Sequence, residues 1–181
     1  MGRVLAIWCV RGSVACYFGY VSCDLLGLRS RRAGFWQRCM WSLGACLLLL
    51  HVLLAFVYFH HGSHASAVRE TARQTAALTG WSWGGGVYIN EVFVLYWLLD
   101  AGLMWLPDRS GRPVSAMTEP PLRRWHLVRH AVAAFMMFNA TVVFGPSFWR
   151  WLIPLAVLTL FLGRWYVSTH RWKGPESTEQ Q

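Results

Sequence analysis

"CMWSLGACLLLLHVLLAFVYF", residues 39 to 59, contains no charged side chain when its histidine is neutral. A membrane whose hydrocarbon core is about 30 Å thick is crossed by about 20 helical residues. The stretch therefore predicts a membrane span, which we place at residues 39–61. The composition agrees, because 55% of the 181 residues are hydrophobic and 12 are tryptophan. A soluble domain of this size would have difficulty burying so much apolar surface.

Four more segments have the length and apolar character of spans, and they run approximately from 4–26, 87–106, 126–145 and 148–167. The predicted fold class is an all-α membrane protein, a bundle of about five transmembrane helices, with four as the alternative. One helical domain would cover residues 1–170, and a disordered cytoplasmic tail would cover 171–181. For the first segment, a signal peptide ending at Cys23 is the alternative, but Arg11 interrupts its apolar core.

The basic residues predict the orientation of these spans. The chain has 17 basic and 8 acidic side chains, a net charge of +9. Arginines concentrate in the loops 27–38 and 107–125, and Arg171 and Lys173 follow the last span. Because basic loops stay in the cytoplasm, we expect the amino terminus outside and the carboxyl terminus in the cytoplasm, with the protein in the cell membrane. Arginines between apolar runs do not form a basic face, so we expect lipid and no nucleic acid as a partner.

The outer connection and the cysteines carry simpler patterns. Apolar residues recur with helical spacing over 65–80, which predicts a helix on the membrane surface ended by Gly80. The five cysteines lie inside or at the edge of apolar segments, so no disulfide framework is expected. With Gly12 and Gly19, the cysteines of the first segment form a stripe of small side chains that favours close helix packing.

Several ionisable residues fall inside predicted spans, among them Arg11, Glu91, Asp100 and His130. A charge there costs about 2.5 to 3.5 kcal/mol on insertion scales and usually faces the bundle interior with a partner. From their similar depths we expect Arg11 to pair with Glu91 and Asp100 to pair with His130. Such pairs either fix the register of the helices or take part in function. A proton relay through His51, Asp100 and His130 is one functional form.

The histidines at the end of the second span form the sharpest pattern. His60 and His64 are four residues apart and share a face if the helix continues, and His61 and His64 are three apart. Two imidazoles at such spacings can bind one metal ion, and Glu70 or Glu91 could add a carboxylate for zinc or copper. His51 would then lie below the ion, where it would either support a metal ligand without binding the metal itself or relay protons. Alternatively, His51 would ligate a haem, with Met136 or Met137 on the other side.

The motifs "HHGSH", residues 60–64, and "HLVRH", residues 126–130, resemble fragments of the histidine boxes of membrane di-iron hydroxylases and desaturases. This resemblance covers only the two motifs and implies a di-iron site. The predicted topology places the motifs on opposite membrane faces, whereas those enzymes gather their histidines on the cytoplasmic side. A di-iron hydroxylase is therefore the third of three functional hypotheses.

The first hypothesis is a non-enzymatic, small multi-pass membrane protein. It would be a component or subunit of a larger assembly, with other membrane subunits or further copies of itself as partners. The second is a redox membrane protein that binds metal or haem through the outer histidine cluster, His60, His61 and His64. The chain carries no P-loop, GxGxxG or nucleophile-elbow motif that would indicate a particular reaction.

Overall fold

The computed structural model describes residues 1–27, 30–106, 120–143 and 145–170, and all regular secondary structure in these ranges is helical. The α-helices are α1 (Gly2–Leu25), α2 (Arg31–Tyr58), α3 (His64–Thr79), α4 (Gly86–Leu103), α5 (Pro120–Phe138) and α6 (Trp149–His170). A π-helical segment, Asn139–Val143, continues α5. The predicted tail at 171–181 lies outside the described residues.

Three of these helices, α1, α2 and α4, are long and apolar enough to cross a membrane. They correspond to the predicted spans 4–26, 39–61 and 87–106. In the described part of the chain, α5 and α6 do not meet the same criterion. Their sequences overlap the spans predicted at 126–145 and 148–167, so the five-span bundle stays a prediction.

Capping residues determine where α2 and α3 begin and end. The Ser30 hydroxyl accepts a hydrogen bond from the Ala33 N–H at 3.1 Å, so α2 begins eight residues before the predicted span. After α2 ends at Tyr58, His61 and Gly62 adopt positive φ angles of 52° and 71° and turn the chain. The Ser63 hydroxyl then caps α3, which ends at Gly80 with φ 76°. The surface helix predicted at 65–80 is therefore confirmed as a helix.

Helices α1 and α2 form a closely packed antiparallel pair. The Ser13 hydroxyl donates to the Gly44 carbonyl at 2.8 Å, and both residues are buried. A Cβ atom added to Gly19 would lie 2.7 Å from the sulfur of Met40. Small residues on α1 thus let α2 approach, as the stripe of small side chains predicts. All five cysteines are free thiols.

Aromatic side chains form the centre of the bundle. Trp41 of α2 and Trp97 of α4 are completely buried, with ring centroids 5.0 Å apart. The Tyr20 ring of α1 lies 4.5 Å from Trp41. Ala133 and Met137 bring α5 into the same core. This core separates two polar regions, a buried ion pair on one side and a cavity beside α3 on the other.

Candidate functional site

Asp100 is the centre of a buried polar network. Its side chain is 2% exposed, and Arg129 of α5 pairs with it. Arg129 Nη2 donates to Oδ1 at 2.9 Å, and Arg129 Nε lies 2.8 Å from Oδ2. Two indole N–H groups complete the shell, from Trp41 at 2.8 Å and from Trp125 at 3.3 Å. Both carboxylate oxygens are therefore occupied by donors from α2 and α5.

Arg129 has partners beyond Asp100. Its Nη1 donates to the Tyr20 hydroxyl at 3.3 Å, and its guanidinium lies 5.8 Å from the centroid of the Trp41 ring. The cation thus joins α1, α2, α4 and α5 at one point. A buried ion pair of this kind is expensive to desolvate, so removing one partner leaves a costly lone charge.

The expected pairing of Asp100 with His130 is not what the structure contains. His130 Nε2 lies 3.4 Å from Asp24 Oδ2, and its ring stacks on Tyr20 at 5.7 Å. Arg129 and His130 are consecutive residues of α5, so their side chains point about 100° apart around the helix. Arg129 faces the Asp100 carboxylate, and His130 faces the end of α1.

On the other side of the core lies a partly open cavity of about 730 Å³. Its walls come from α1, α2, α3, α4, α5, the π-helical segment and the start of α6. The polar and ionisable side chains among them include Arg11, His51, His60, His64, Asn90, Glu91 and Asn139. Polar side chains from α1, α2, α3, α4 and the π-helical segment thus line one cavity.

His51 lies in the cavity wall within the leucine-rich run of α2. Its Nδ1 is 2.8 Å from the Ala6 carbonyl oxygen of α1. A carbonyl can only accept, so Nδ1 carries the hydrogen and donates it. The histidine therefore links the two helices, which explains how an imidazole is tolerated in this apolar stretch.

At the mouth of the cavity, Glu91 pairs with His64 and not with Arg11. His64 Nε2 lies 2.9 Å from Glu91 Oε1, and each side chain is 43% exposed. The His64 ring also contacts Tyr88 at a centroid distance of 5.3 Å. The pairing with Arg11 expected from depth is replaced because α3 begins beside the first turns of α4 and brings His64 to Glu91.

Among the described residues, the Arg11 guanidinium contacts two aromatic rings. Its guanidinium lies 5.1 Å from the Trp8 ring centroid and 5.6 Å from that of Phe148. Within the described ranges, no carboxylate lies within ion-pair distance of it. Cation–π contacts of this type are attractive but leave the hydrogen-bond donors of the guanidinium unused.

The histidine cluster is divided by the turn between α2 and α3. His60 and His64 both line the cavity, but they belong to different segments and not to one continuing helix. His61 lies in the turn and is exposed. In the described residues, no three His, Cys, Asp or Glu side chains form a group that could hold a metal ion. The site expected at His60, His61, His64 and Glu91 is thus not assembled, and zinc, copper or haem binding stays a prediction.

The π-helical segment also contributes to the cavity wall. Asn139, Thr141 and Gly145 line the cavity there. The Thr141 hydroxyl donates to the Met137 carbonyl at 2.6 Å, and a Cβ on Gly145 would overlap the Thr141 carbonyl oxygen. Single π-helical turns are frequent at functional sites. Their presence beside Arg11 and His51 favours this cavity as the candidate site.

No protein-family model, curated protein or solved structure matches this chain.

Proposed function

We propose that the chain is a five-span integral protein of the cell membrane, with its amino terminus outside and its carboxyl terminus in the cytoplasm. Contacts between helix ends support alternating directions. Arg3 Nε donates to the Tyr58 carbonyl at 3.1 Å, so the start of α1 meets the end of α2. Arg164 Nη1 donates to the Leu25 carbonyl at 2.9 Å, so the later part of α6 meets the end of α1.

The outer surface of the helices supports contact with lipid. Leu43, Leu50 and Leu53 of α2 are 54%, 40% and 54% exposed, and Leu95 and Leu99 of α4 are 61% and 69% exposed. Contiguous apolar surface of this extent is characteristic of membrane or protein interfaces. Trp81 and Trp83, stacked at 6.3 Å after α3, suit the boundary between lipid and water.

Within this topology, we propose a non-enzymatic component of a larger membrane assembly. The observation that carries this proposal is the Asp100 network. Its two charges pair with each other and both indoles donate to the Asp100 carboxylate, so these buried polar groups hold α2, α4 and α5 together. Other membrane proteins or a second copy would cover part of the exposed apolar surface.

The assembly is tested by extracting the full chain from its native membrane in a mild detergent and measuring particle mass by light scattering. We expect a mass above that of one 20.7 kDa chain after subtraction of detergent, with a partner in fixed stoichiometry. A particle that contains a single copy of this chain alone would overturn the proposal. Topology is tested separately, with reporters fused at Gly34, Ala76 and Gly111.

A redox protein that handles metal or haem is the second candidate. It is supported by His51, His60 and His64 lining the same cavity. Zinc or copper binding should weaken as pH falls, because imidazole must be neutral to coordinate. Replacing both His60 and His64 by alanine should abolish binding, and replacing His51 alone should weaken it. Equal affinity of the double variant and the wild type in calorimetry would exclude the cluster as a metal site.

A further inference from the structure

Arg11 differs from the other arginines whose contacts the structure describes in α1, α5 and α6. Arg3 and Arg164 donate to backbone carbonyls, and Arg129 pairs with Asp100. In the part of the chain that the structure describes, the Arg11 guanidinium lies over the Trp8 and Phe148 rings and lines the cavity. It lies nine residues after the start of α1, about 13 Å along the helix. A guanidinium at that depth is stabilised by an anion, and none of the described side chains supplies one.

The walls around Arg11 are largely apolar. Val10 and Val14 of α1, Val52 and Phe56 of α2, and Met136 of α5 line the cavity. Its volume of about 730 Å³ lies in the range of small-molecule sites, about 300 to 1,000 Å³. A free hydrated anion would lose part of its water on entering the cavity and would gain nothing from the apolar part of the walls. An acid carried on a hydrocarbon chain would instead gain from each methylene that the walls cover.

We propose that this cavity binds an amphiphile with one acidic headgroup and a hydrocarbon chain, such as a fatty acid, whose anionic group pairs with Arg11 while its chain lies along the apolar walls. The inference rests on the proposed membrane embedding, because the ligand would enter from the outer half of the bilayer. Glu91 does not compete for Arg11, since it is already bonded to His64 at the mouth. Gln74 and Thr75 of α3 line the cavity as well and add polar groups.

Equilibrium binding of radiolabelled oleate to the full chain in maltoside micelles tests the proposal. Oleyl alcohol is the matched probe with the same chain and no charge, and acetate is the free acid without a chain. We expect oleate to bind at least about tenfold more tightly than either probe. Equal affinity for oleate and oleyl alcohol would overturn the role of the charge, and equal affinity for acetate would overturn the role of the chain.

Substitutions of Arg11 test whether its guanidinium binds the acidic headgroup of oleate. Arg11→Gln should weaken oleate binding by about tenfold or more, and Arg11→Lys should weaken it less. The control is Arg69→Gln, because Arg69 is an exposed arginine of α3 outside the cavity lining. It should leave affinity unchanged. Oleate affinity of Arg11→Gln equal to that of the wild type would refute the proposal.

A second variant covers the case in which Arg11→Gln does not fold. Ala55→Phe keeps Arg11 but fills part of the cavity, because Ala55 is one of its lining residues. Leu53→Phe is its control, since Leu53 is 54% exposed on the outer surface of α2. Only Ala55→Phe should lose oleate affinity, and unchanged affinity would overturn the proposal. The reporters at Gly34 and Ala76 show independently whether the membrane topology is correct.

Discussion

Replacing Asp100 by asparagine should destabilise the protein strongly, because it leaves the 9% exposed Arg129 side chain without its counter-charge. Breaking a buried ion pair from one side costs about 3 to 5 kcal/mol. Arg129→Gln should cost a similar amount, because the Asp100 carboxylate would keep only its two indole donors. The double variant leaves no lone charge. Its free energy of unfolding should therefore fall by about 2 kcal/mol less than the sum of the losses in the two single variants.

The assay is reversible unfolding of the full chain in mixed micelles with increasing SDS, followed by far-UV circular dichroism. The control is Asp24→Asn, because the Asp24 side chain is 55% exposed and contacts His130 at 3.4 Å. An exposed pair contributes about 0 to 1 kcal/mol, so this variant should unfold near the wild type. If the double variant lost the sum of the two single-variant losses to within about 0.5 kcal/mol, direct coupling of the two charges would be refuted.

Four further predictions follow from individual contacts. Reporters fused at Gly34 and Gly111 should report cytoplasm and one at Ala76 the exterior; a cytoplasmic Ala76 would contradict the proposed orientation. Arg11→Leu and Glu91→Gln should have additive effects on SDS unfolding, because Glu91 bonds to His64, and coupling above about 0.5 kcal/mol would contradict that geometry. Gly145→Ala should lower the free energy of unfolding by about 1 to 3 kcal/mol, because the added Cβ overlaps the Thr141 carbonyl. Gly163→Ala is the control: its Cβ makes an ordinary contact of 3.5 Å, so it should lower the free energy of unfolding by less than about 1 kcal/mol. Hydrogen bonds from Arg73 and Gln74 lower the pKa of Glu70 to about 2. A lowered pKa stabilises the fold above the ordinary value of 4.5, and that contribution is lost as pH falls towards 2. Protection factors of the α3 amides, corrected for the intrinsic pH dependence of exchange, should therefore fall over this interval in the wild type and not in Glu70→Gln.

The apolar run at 39–59 was sufficient to predict a helix, because an uncharged segment of that length has few alternatives. Its bounds were less predictable. Ser30 extends α2 into an arginine-containing segment by capping it, and the helix stops at Tyr58 before the histidines. The expectation that His60 and His64 share one helical face failed at Gly62 and Ser63. A glycine followed by a serine is a recognisable signal for a turn and a new helix cap.

Depth along the sequence predicts which residues can meet but not which ones do. Arg129 and His130 differ in depth by about 1.5 Å, so either satisfies the depth criterion for Asp100. The choice depends on the rotation of α5 about its axis, and tertiary packing determines that rotation. Trp41, in a predicted span, and Trp125, at the end of the loop before one, were not predicted as partners of Asp100. An indole N–H is recognised as a donor only once an acceptor is known to lie within reach.

The two polar regions also differ in how completely their groups are used, and this difference distinguishes packing from binding. If all polar residues of the spans served only to hold helices together, each would be expected to end in a closed network like that of Asp100. Asp100 accepts from Arg129, Trp41 and Trp125, and His51 donates to a carbonyl of the neighbouring helix. Arg11 has no such acceptor among the described residues, although it lies in the same bundle and carries the full charge. Because retaining that charge is costly in an apolar setting, a ligand anion in the cavity accounts for it better than packing does.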